Sequence, residues 1–512
     1  MVFVRRRAVL LVASATLAAG ALTQLVGCGS GARGQSVSPA GPPIEITVRA
    51  AAPGRVVPFG FVGLSLEYQA VEAYAGTDAH GLNPVFVQLV RNLVPGQATV
   101  LRIGGDSADR TWWPTPGLAQ PPGVRFSITG RWLAVTRALA DALRARLILG
   151  LNLEADSPRL AASEAGALLD GLGPQRVHAF ELGNEPDLYP SFPWYRTPGD
   201  RQVTGRPPDY DLSALIGDFT RFAAVLPRRT LAGPSLGAPG WIRQLGRFLA
   251  AEPRVGLVTL HRYPLQVCFT PRRSPRFPTV ARLLSPASSI GLADGFAPYA
   301  ALARARGLSL RIDELNSVSC GADPAVSDTF ASALWALNTL FEMLRVGVHG
   351  VNIHTFPGAG YELFRITHPN GRWRANVAPE YYGLMLFARA APAGSRLLEA
   401  AKAAGGTVRT WATRAGDGTV RVVFVNTGGA ARRVTVALPG TAFGAGRLER
   451  LTAPAARAPS GVTLAGQSFG ARTFTGLLAG GLRVSSVAPV RRRYAVQLPA
   501  ASAGMLVLSP PS

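Results

Sequence analysis

Two short polar clusters stand at the ends of apolar runs. The first is Glu181-Leu182-Gly183-Asn184-Glu185-Pro186 and the second is Arg311-Ile312-Asp313-Glu314-Leu315-Asn316. If both runs end at one cavity, their carboxylates can work as a pair. One carboxyl kept protonated donates to a leaving oxygen, and one kept ionised attacks a carbon. Such a pair flanking an acetal bond is the machinery of glycoside hydrolysis. Glu185 is the candidate of the first cluster. In the second, Asp313 and Glu314 compete. Strand alternation sets Ile312 and Glu314 on one face and Arg311 and Asp313 on the other, without saying which face is inward. The six histidines show no HxH or HExxH spacing, so neither a metal nor another cofactor is called for.

The surrounding pattern supplies strand ends of the right kind. Short apolar runs recur at Phe59-Leu66, Thr99-Ile103, Arg146-Leu151, His178-Leu182, Thr230-Ala232, Gly256-Leu260, Leu308-Ile312 and Val348-Ile353. Between them lie amphipathic stretches: Trp132-Ala145, Ser163-Gly171, Asp211-Val225, Trp241-Ala251, Phe296-Arg306 and Asp328-Leu344. Apolar strands alternating with helices mean a parallel sheet covered by helices. Eight such units predict an α/β fold of the (β/α)8 TIM-barrel type over residues 55–387. No GxGxxG or Walker loop follows a strand, which weakens a nucleotide-binding sheet. In a barrel the chemistry sits at the C-terminal strand ends, where both polar clusters fall.

After Phe387 the chain turns to short β-type runs: Thr407-Thr413, Val420-Val425, Arg433-Leu438, Gly446-Thr452, Tyr494-Leu498 and Met505-Leu508. These predict a C-terminal β-sandwich over residues 388–512. Ile44-Val48, within residues 44–54, reads as a further strand that joins the sandwich across the barrel.

Residues 1–28 read as an export signal, with Arg5-Arg7 ahead of the apolar run Ala8-Leu22. Arg6-Arg7-Ala8-Val9-Leu10 also fits a loose twin-arginine pattern. The segment ends Leu25-Val26-Gly27-Cys28, which resembles a bacterial lipobox with Cys28 as the lipidated residue. Residues 29–43 have the Gly/Ser/Pro composition of a tether. The expectation is an exported cell-surface lipoprotein, or a secreted protein if the signal is cut without lipidation. Two cysteines remain, Cys268 and Cys320, either disulfide-bonded or buried thiols.

The 512 residues carry 53 Lys+Arg against 30 Asp+Glu, a formal charge of +23. Lys402 is the one lysine, and the arginines are scattered among many Ala, Gly and Pro residues, as GC-rich coding would give. The charge therefore does not indicate nucleic acid, and agrees at most with an acidic carbohydrate partner. At 47% hydrophobic residues a sizeable core is expected, and global disorder is excluded.

Asn184-Glu185-Pro186 at a strand end resembles the acid/base motif of retaining barrel glycosidases. Further segments extend the likeness: Phe61-Val62-Gly63-Leu64-Ser65-Leu66-Glu67-Tyr68, Leu101-Arg102-Ile103-Gly104-Gly105-Asp106-Ser107, His261-Arg262-Tyr263-Pro264, Asn316-Ser317-Val318-Ser319-Cys320-Gly321 and Pro379-Glu380-Tyr381-Tyr382-Gly383. Together they resemble glycoside hydrolase family 79, which holds β-glucuronidases and heparanase-like enzymes on a barrel-plus-sandwich architecture. The likeness runs over roughly residues 45–512.

The resemblance implies Glu185 as acid/base, Glu314 as nucleophile and Asn184 as the contact to the sugar 2-hydroxyl. It implies Tyr263 as a hydroxyl beside the nucleophile and Tyr361 as a ligand of the uronate carboxylate. Glu67 and Asp106 end strands one and two, where they could grip sugar hydroxyls or pair with Arg102. His261 is either a sugar contact or a packed strand-end residue.

One departure concerns the uronate. Family members often have a second tyrosine five positions past the nucleophile and paired glycines after it, whose N–H groups hold the carboxylate. Here Ser319 and Cys320-Gly321-Ala322 stand there, so Ser319 and Gly321 are the candidates. A neutral sugar is the alternative substrate. The alternative of another class is a non-catalytic surface lipoprotein that binds acidic polysaccharide.

Overall fold

The computed structural model describes residues 42–49, 54–401, 406–439 and 443–510. The signal segment 1–28, Cys28 and nearly all of the 29–43 tether lie outside the described residues.

Eight parallel strands close a barrel: β1 (Val62–Glu67), β2 (Val100–Gly104), β3 (Arg146–Leu151), β4 (Val177–Leu182), β5 (Leu231–Leu236), β6 (Val255–Arg262), β7 (Ser309–Leu315) and β8 (Gly350–His354). Each pairs with the next, and β8 pairs with β1. Val100, Ile148, Ala179, Ala232 and Leu257 fill the lower interior as a separate apolar layer. Alternate residues such as Leu101, Leu149, Phe180 and Ile312 face outward into the core shared with the helices. Burial on both faces is why the strands read as near-continuous apolar runs. Helix starts follow local chemistry. Ser157 accepts from the Leu160 N–H before Pro158–Leu172, and Asp211 accepts from Ala214 N–H before Leu212–Val225.

The expected elements appear with shifted ends. The expected helix Trp241-Ala251 is broken into Pro239–Ile242 and Leu245–Ala251. Helices Tyr68–Ala75 and Pro84–Leu93 were not anticipated, although Asn83 before Pro84 is a helix-start signal. No helix among the described residues is long and apolar enough to cross a membrane.

The C-terminal region is a mixed sheet of β9 (Arg396–Ala401), β10 (Val408–Arg414), β11 (Val420–Asn426), β12 (Arg432–Ala437), β13 (Gly446–Thr452), β14 (Arg493–Leu498) and β15 (Ser502–Leu508). The N-terminal strand Ile44–Arg49 lies inside it, antiparallel to β9 and parallel to β12. Strand β9 went unread because Leu-Leu-Glu-Ala-Ala consists of helix formers; its pairing with two neighbours overrides that preference. Residues on β11 alternate cleanly. Val420, Val422 and Phe424 enter the sheet's own core, while Val423 and Val425 pack toward the barrel. On that side Trp411 stacks on Phe341 of helix Phe330–Val346, with ring centroids 5.1 Å apart.

Helix Phe330–Val346 also lies against helix Pro379–Ala390 at Gly383, where a Cβ would run into the Ala333 carbonyl oxygen. Both partners there are backbone, so relief requires the helices to separate. Gly383→Ala is expected to lower stability by about 1–3 kcal/mol, read as a fall in the urea unfolding midpoint.

Candidate active site

Glu185 owes its position to a left-handed turn. Gly183 and Glu185 sit at φ 74° and 48°, and Pro186 then starts a short 3-10 turn, Pro186–Leu188. A Cβ at Gly183 would collide with the Tyr189 hydroxyl. Left-handed backbone at a non-glycine residue is a marker of functional constraint. Asp109 pins the turn from below. Its carboxylate accepts from the Asn184 N–H (2.8 Å), the Tyr189 hydroxyl (2.8 Å) and the N–H groups of Leu153 (2.9 Å) and Glu154 (3.1 Å).

Glu314 reaches the same cavity by a different device. The β6–β7 register shifts between Leu260 and His261, and the β7–β8 register shifts between Ile312 and Leu315. Leu310, Ile312 and Leu315 face the helices, yet Asp313 and Glu314 both turn inward. The expected sharing of one face by Ile312 and Glu314 is therefore corrected. An extra residue in the strand resets the alternation just before the nucleophile position.

Arg102 on β2 joins the two halves. It is fully buried, and Nε donates to Glu181 (2.8 Å) and Nη1 to Glu314 (2.6 Å). Nη2 donates to the Asn184 side-chain oxygen (2.8 Å). The pairing of Arg102 with Glu67 and Asp106 that the sequence left open does not occur. Glu67 instead accepts from the Ser107 N–H (2.8 Å) and faces His354 Nε2 (3.4 Å). Asp106 accepts from the Asn184 side-chain amide (3.3 Å) and lies 3.8 Å from Arg110. Gly105 is required here, since a Cβ would strike the Glu67 carboxylate and its φ is 71°.

A Glu185 oxygen, a Glu314 oxygen and a His261 ring nitrogen all lie within 4.8 Å of one another. Tyr263 donates to the other Glu314 oxygen at 2.9 Å. Burial alone would raise the Glu314 pKa, but His354, His261 and Arg102 together hold it well below the usual carboxylate range. The ionised form of Glu314 is thus the favoured one. His261 is 0% exposed and does not line the cavity, so its candidacy as a sugar contact is corrected. It sits 3.4 Å from both Glu185 and Asp313 and acts as a buried strut between them.

The cavity holds about 370 Å³ and is lined by Glu67, Asp106, Asn184, Tyr263, Ser319, Gly321 and Tyr361 as well as both glutamates. Tyr361 leans on Tyr263, their ring centroids 6.0 Å apart. Ser319 donates to the Leu265 carbonyl at 3.4 Å. Cys268 and Cys320 form a disulfide across the cavity wall, Cα atoms 5.9 Å apart. A larger groove, about 490 Å³, runs past Asp328, Arg365, Tyr382 and Ser460 but touches neither catalytic candidate.

Asp109, His354, Arg262 and Arg276 were not singled out from sequence. The rule that strand-end polar residues face the mouth would have found His354 on β8. Glu181, His261 and Asp313 also bring ligand-type atoms within 4.8 Å of one another. Arg102 on Glu181 and Glu314 sets a fixed positive charge against any cation there, so the donor set suits hydrogen bonding rather than metal binding.

Asp313 and Glu181 place carboxylate oxygens within 4.8 Å of each other in one buried layer. Burial and the Glu181 charge push Asp313 up to about 8. The unfolded chain releases the Asp313 proton near pH ~4, while the fold keeps it. This group's stabilisation is full below about pH 4 and declines as pH rises toward 8, by at most about 1.4 kcal/mol per pH unit. Asp313→Asn is expected to flatten that decline in urea unfolding midpoints measured between about pH 5 and 8.

No family model and no curated relative matches the sequence. Solved structures do match in fold. A 4-O-α-L-rhamnosyl-β-D-glucuronidase from Fusarium oxysporum superposes with a TM-score of 0.70 at 19% identity, over 90% of this chain and 100% of that one. A family 51 arabinofuranosidase from Xanthomonas axonopodis pv. citri gives 0.66 at 17%, over 91% and 100%. A family 30 subfamily 8 xylanase from Clostridium acetobutylicum gives 0.54 at 14%, over 91% and 99%. The chain has the barrel-plus-sheet fold on which these clan A glycoside hydrolases are built.

Proposed function

We propose that the protein is a retaining glycoside hydrolase that removes a terminal β-linked uronic acid. The observation that carries the reading is the approach of Glu185 and Glu314 oxygens to within 4.8 Å. That distance matches carboxyl groups about 5–5.5 Å apart, the spacing of a double displacement. A water-activating, inverting pair needs a wider gap of ~6.5–9.5 Å.

Glu314, ionised and held by Arg102 and Tyr263, attacks the anomeric carbon. Glu185 gives its proton to the leaving oxygen, and a glycosyl ester forms on Glu314. Glu185 then takes a proton from water as the water displaces the ester, and the sugar leaves with its original configuration. Asn184 presents its amide to the 2-hydroxyl side, while Glu67 and Asp106 offer acceptors to the remaining hydroxyls.

Recognition of a uronate is supported by the backbone after β7. Cys320, Gly321 and Ala322 hold φ values of 66°, 81° and 72° at the cavity wall beside Tyr361. Non-glycine residues held there cost about 1–3 kcal/mol each, and such strain collects at functional sites. Successive N–H groups in a turn of this kind form a concavity suited to an anion. On the N-terminal pattern ending at Cys28, the enzyme would work outside the cell on a lipid tether.

The wild-type enzyme is expected to release nitrophenol from the aryl β-glucuronide with a higher kcat/KM than from the β-glucoside. NMR of the first-formed sugar should show the β anomer. A preference for the glucoside would move the substrate to a neutral sugar and leave the mechanism standing. Glu185→Gln is expected to lose about 10²–10⁴ in hydrolysis of glycosides with poor leaving groups while still binding them. Undiminished turnover by that variant would remove the acid/base assignment.

A further inference from the structure

Beyond the sugar pocket, the cavity wall changes sign. Arg262 and Arg276 both line it, and neither has a carboxylate within ion-pairing distance among the described residues. Arg262 donates through Nη1 to the Gly237 carbonyl (3.1 Å), and Gly237 abuts the Glu185 carboxyl. Arg276 reaches the Tyr263 carbonyl at 3.5 Å, and its Nε is buried with no partner. Asp187, whose charge also acts on Arg262, accepts with its two carboxylate oxygens from the N–H groups of Gly237 (3.2 Å) and Ala238 (2.6 Å). Burial and the neighbouring Arg276 lower the Arg262 pKa to about 10, against the pull of Glu185 and Asp187. Two guanidinium groups crowded without a counter-ion form a site that an anion completes.

The same wall carries an exposed aromatic pair. Phe269 is 80% exposed at φ 53°, and Phe192 is 38% exposed, with ring centroids 5.5 Å apart and planes at 84°. A large aromatic held in the left-handed region and left in water is doubly unfavourable. The Cys268–Cys320 disulfide fixes the backbone next to it.

A general acid faces the leaving group, so the Glu185 side of the cavity is where that group lies. We propose that this outer half is a leaving-group subsite for an acid-bearing ring: Arg262 and Arg276 hold its anion, and Phe192 and Phe269 cover its face. The inference rests on the glycosidase reading and adds a second acidic residue to the substrate.

Binding without turnover separates the two claims. The Glu185→Gln protein would be titrated with a β-linked disaccharide of two uronic acids, and with its two analogues carrying a neutral hydroxymethyl in one ring or the other. Neutralising the leaving ring is expected to weaken Kd at least tenfold, and the loss should shrink as salt rises. Adding Arg262→Gln or Arg276→Gln should abolish that difference, whereas Arg273→Gln, an exposed arginine of the same loop, should keep it. Equal Kd values for the diuronate and its leaving-ring analogue would overturn the subsite. So would arginine variants that instead erase discrimination at the terminal ring, which would place both arginines at the terminal carboxylate. Absence of hydrolysis of every aryl β-glycoside by wild-type enzyme would sink the glycosidase reading alone.

Discussion

The buried guanidinium of Arg102 is the interaction around which the barrel mouth is organised. It leaves β2 and touches groups from β1, β4 and β7: Ser65, Glu181, Asn184 and Glu314. Burying such a charge is costly, and only near-complete pairing with good geometry offsets the desolvation. Arginine suits the task because its planar fork carries five fixed donors. One cation thereby orients the Asn184 amide, favours the Glu314 anion and holds Glu181 down near a pKa of about 2 against its own burial.

With Arg102 committed to Glu181 and Glu314, the next carboxyl in the layer cannot also ionise. Burial and the Glu181 charge therefore raise the Asp313 pKa, while His261 stands 3.4 Å from both Asp313 and Glu185. The floor of the site is a buried layer of charged and polar groups. Above it the groups differ in purpose. Tyr263 and His354 press on Glu314 and favour its anion, and Asp109, itself on the cavity wall, fixes the turn carrying Glu185.

The cavity is polarised along its length. Acidic and hydroxyl-bearing residues surround the inner end, and Arg262 with Arg276 line the wall nearer Glu185. The disulfide and the left-handed residues on either side of it hold that wall, so its shape is set by backbone conformation more than by side-chain packing. The C-terminal sheet buttresses the structure from elsewhere. Its outer face meets the helices Phe330–Val346 and Pro379–Ala390 through Trp411, Val423 and Val425, and it contributes no residue to the catalytic cavity.

Much of this was legible in the residues themselves. Apolar periodicity marked all eight barrel strands, and the rule of C-terminal strand ends pointed to Glu185, to Glu67 and to one of Asp313 and Glu314; the family resemblance added Tyr263. Those are local signals, carried by side-chain type and spacing. The choice between Asp313 and Glu314 was not local. Strict alternation would have put Glu314 with Ile312 against the helices, and a register shift against β6 and β8 reversed it. His261 could have been a wall residue or a packed one, and the fold placed it beneath the wall. Arg102 could have served Glu67 or Asp106, and the barrel's closure brought Glu181 and Glu314 within its reach instead. A strand's own sequence sets which residues alternate. Its neighbours set the register, and the register decides which of two adjacent acids reaches the cavity.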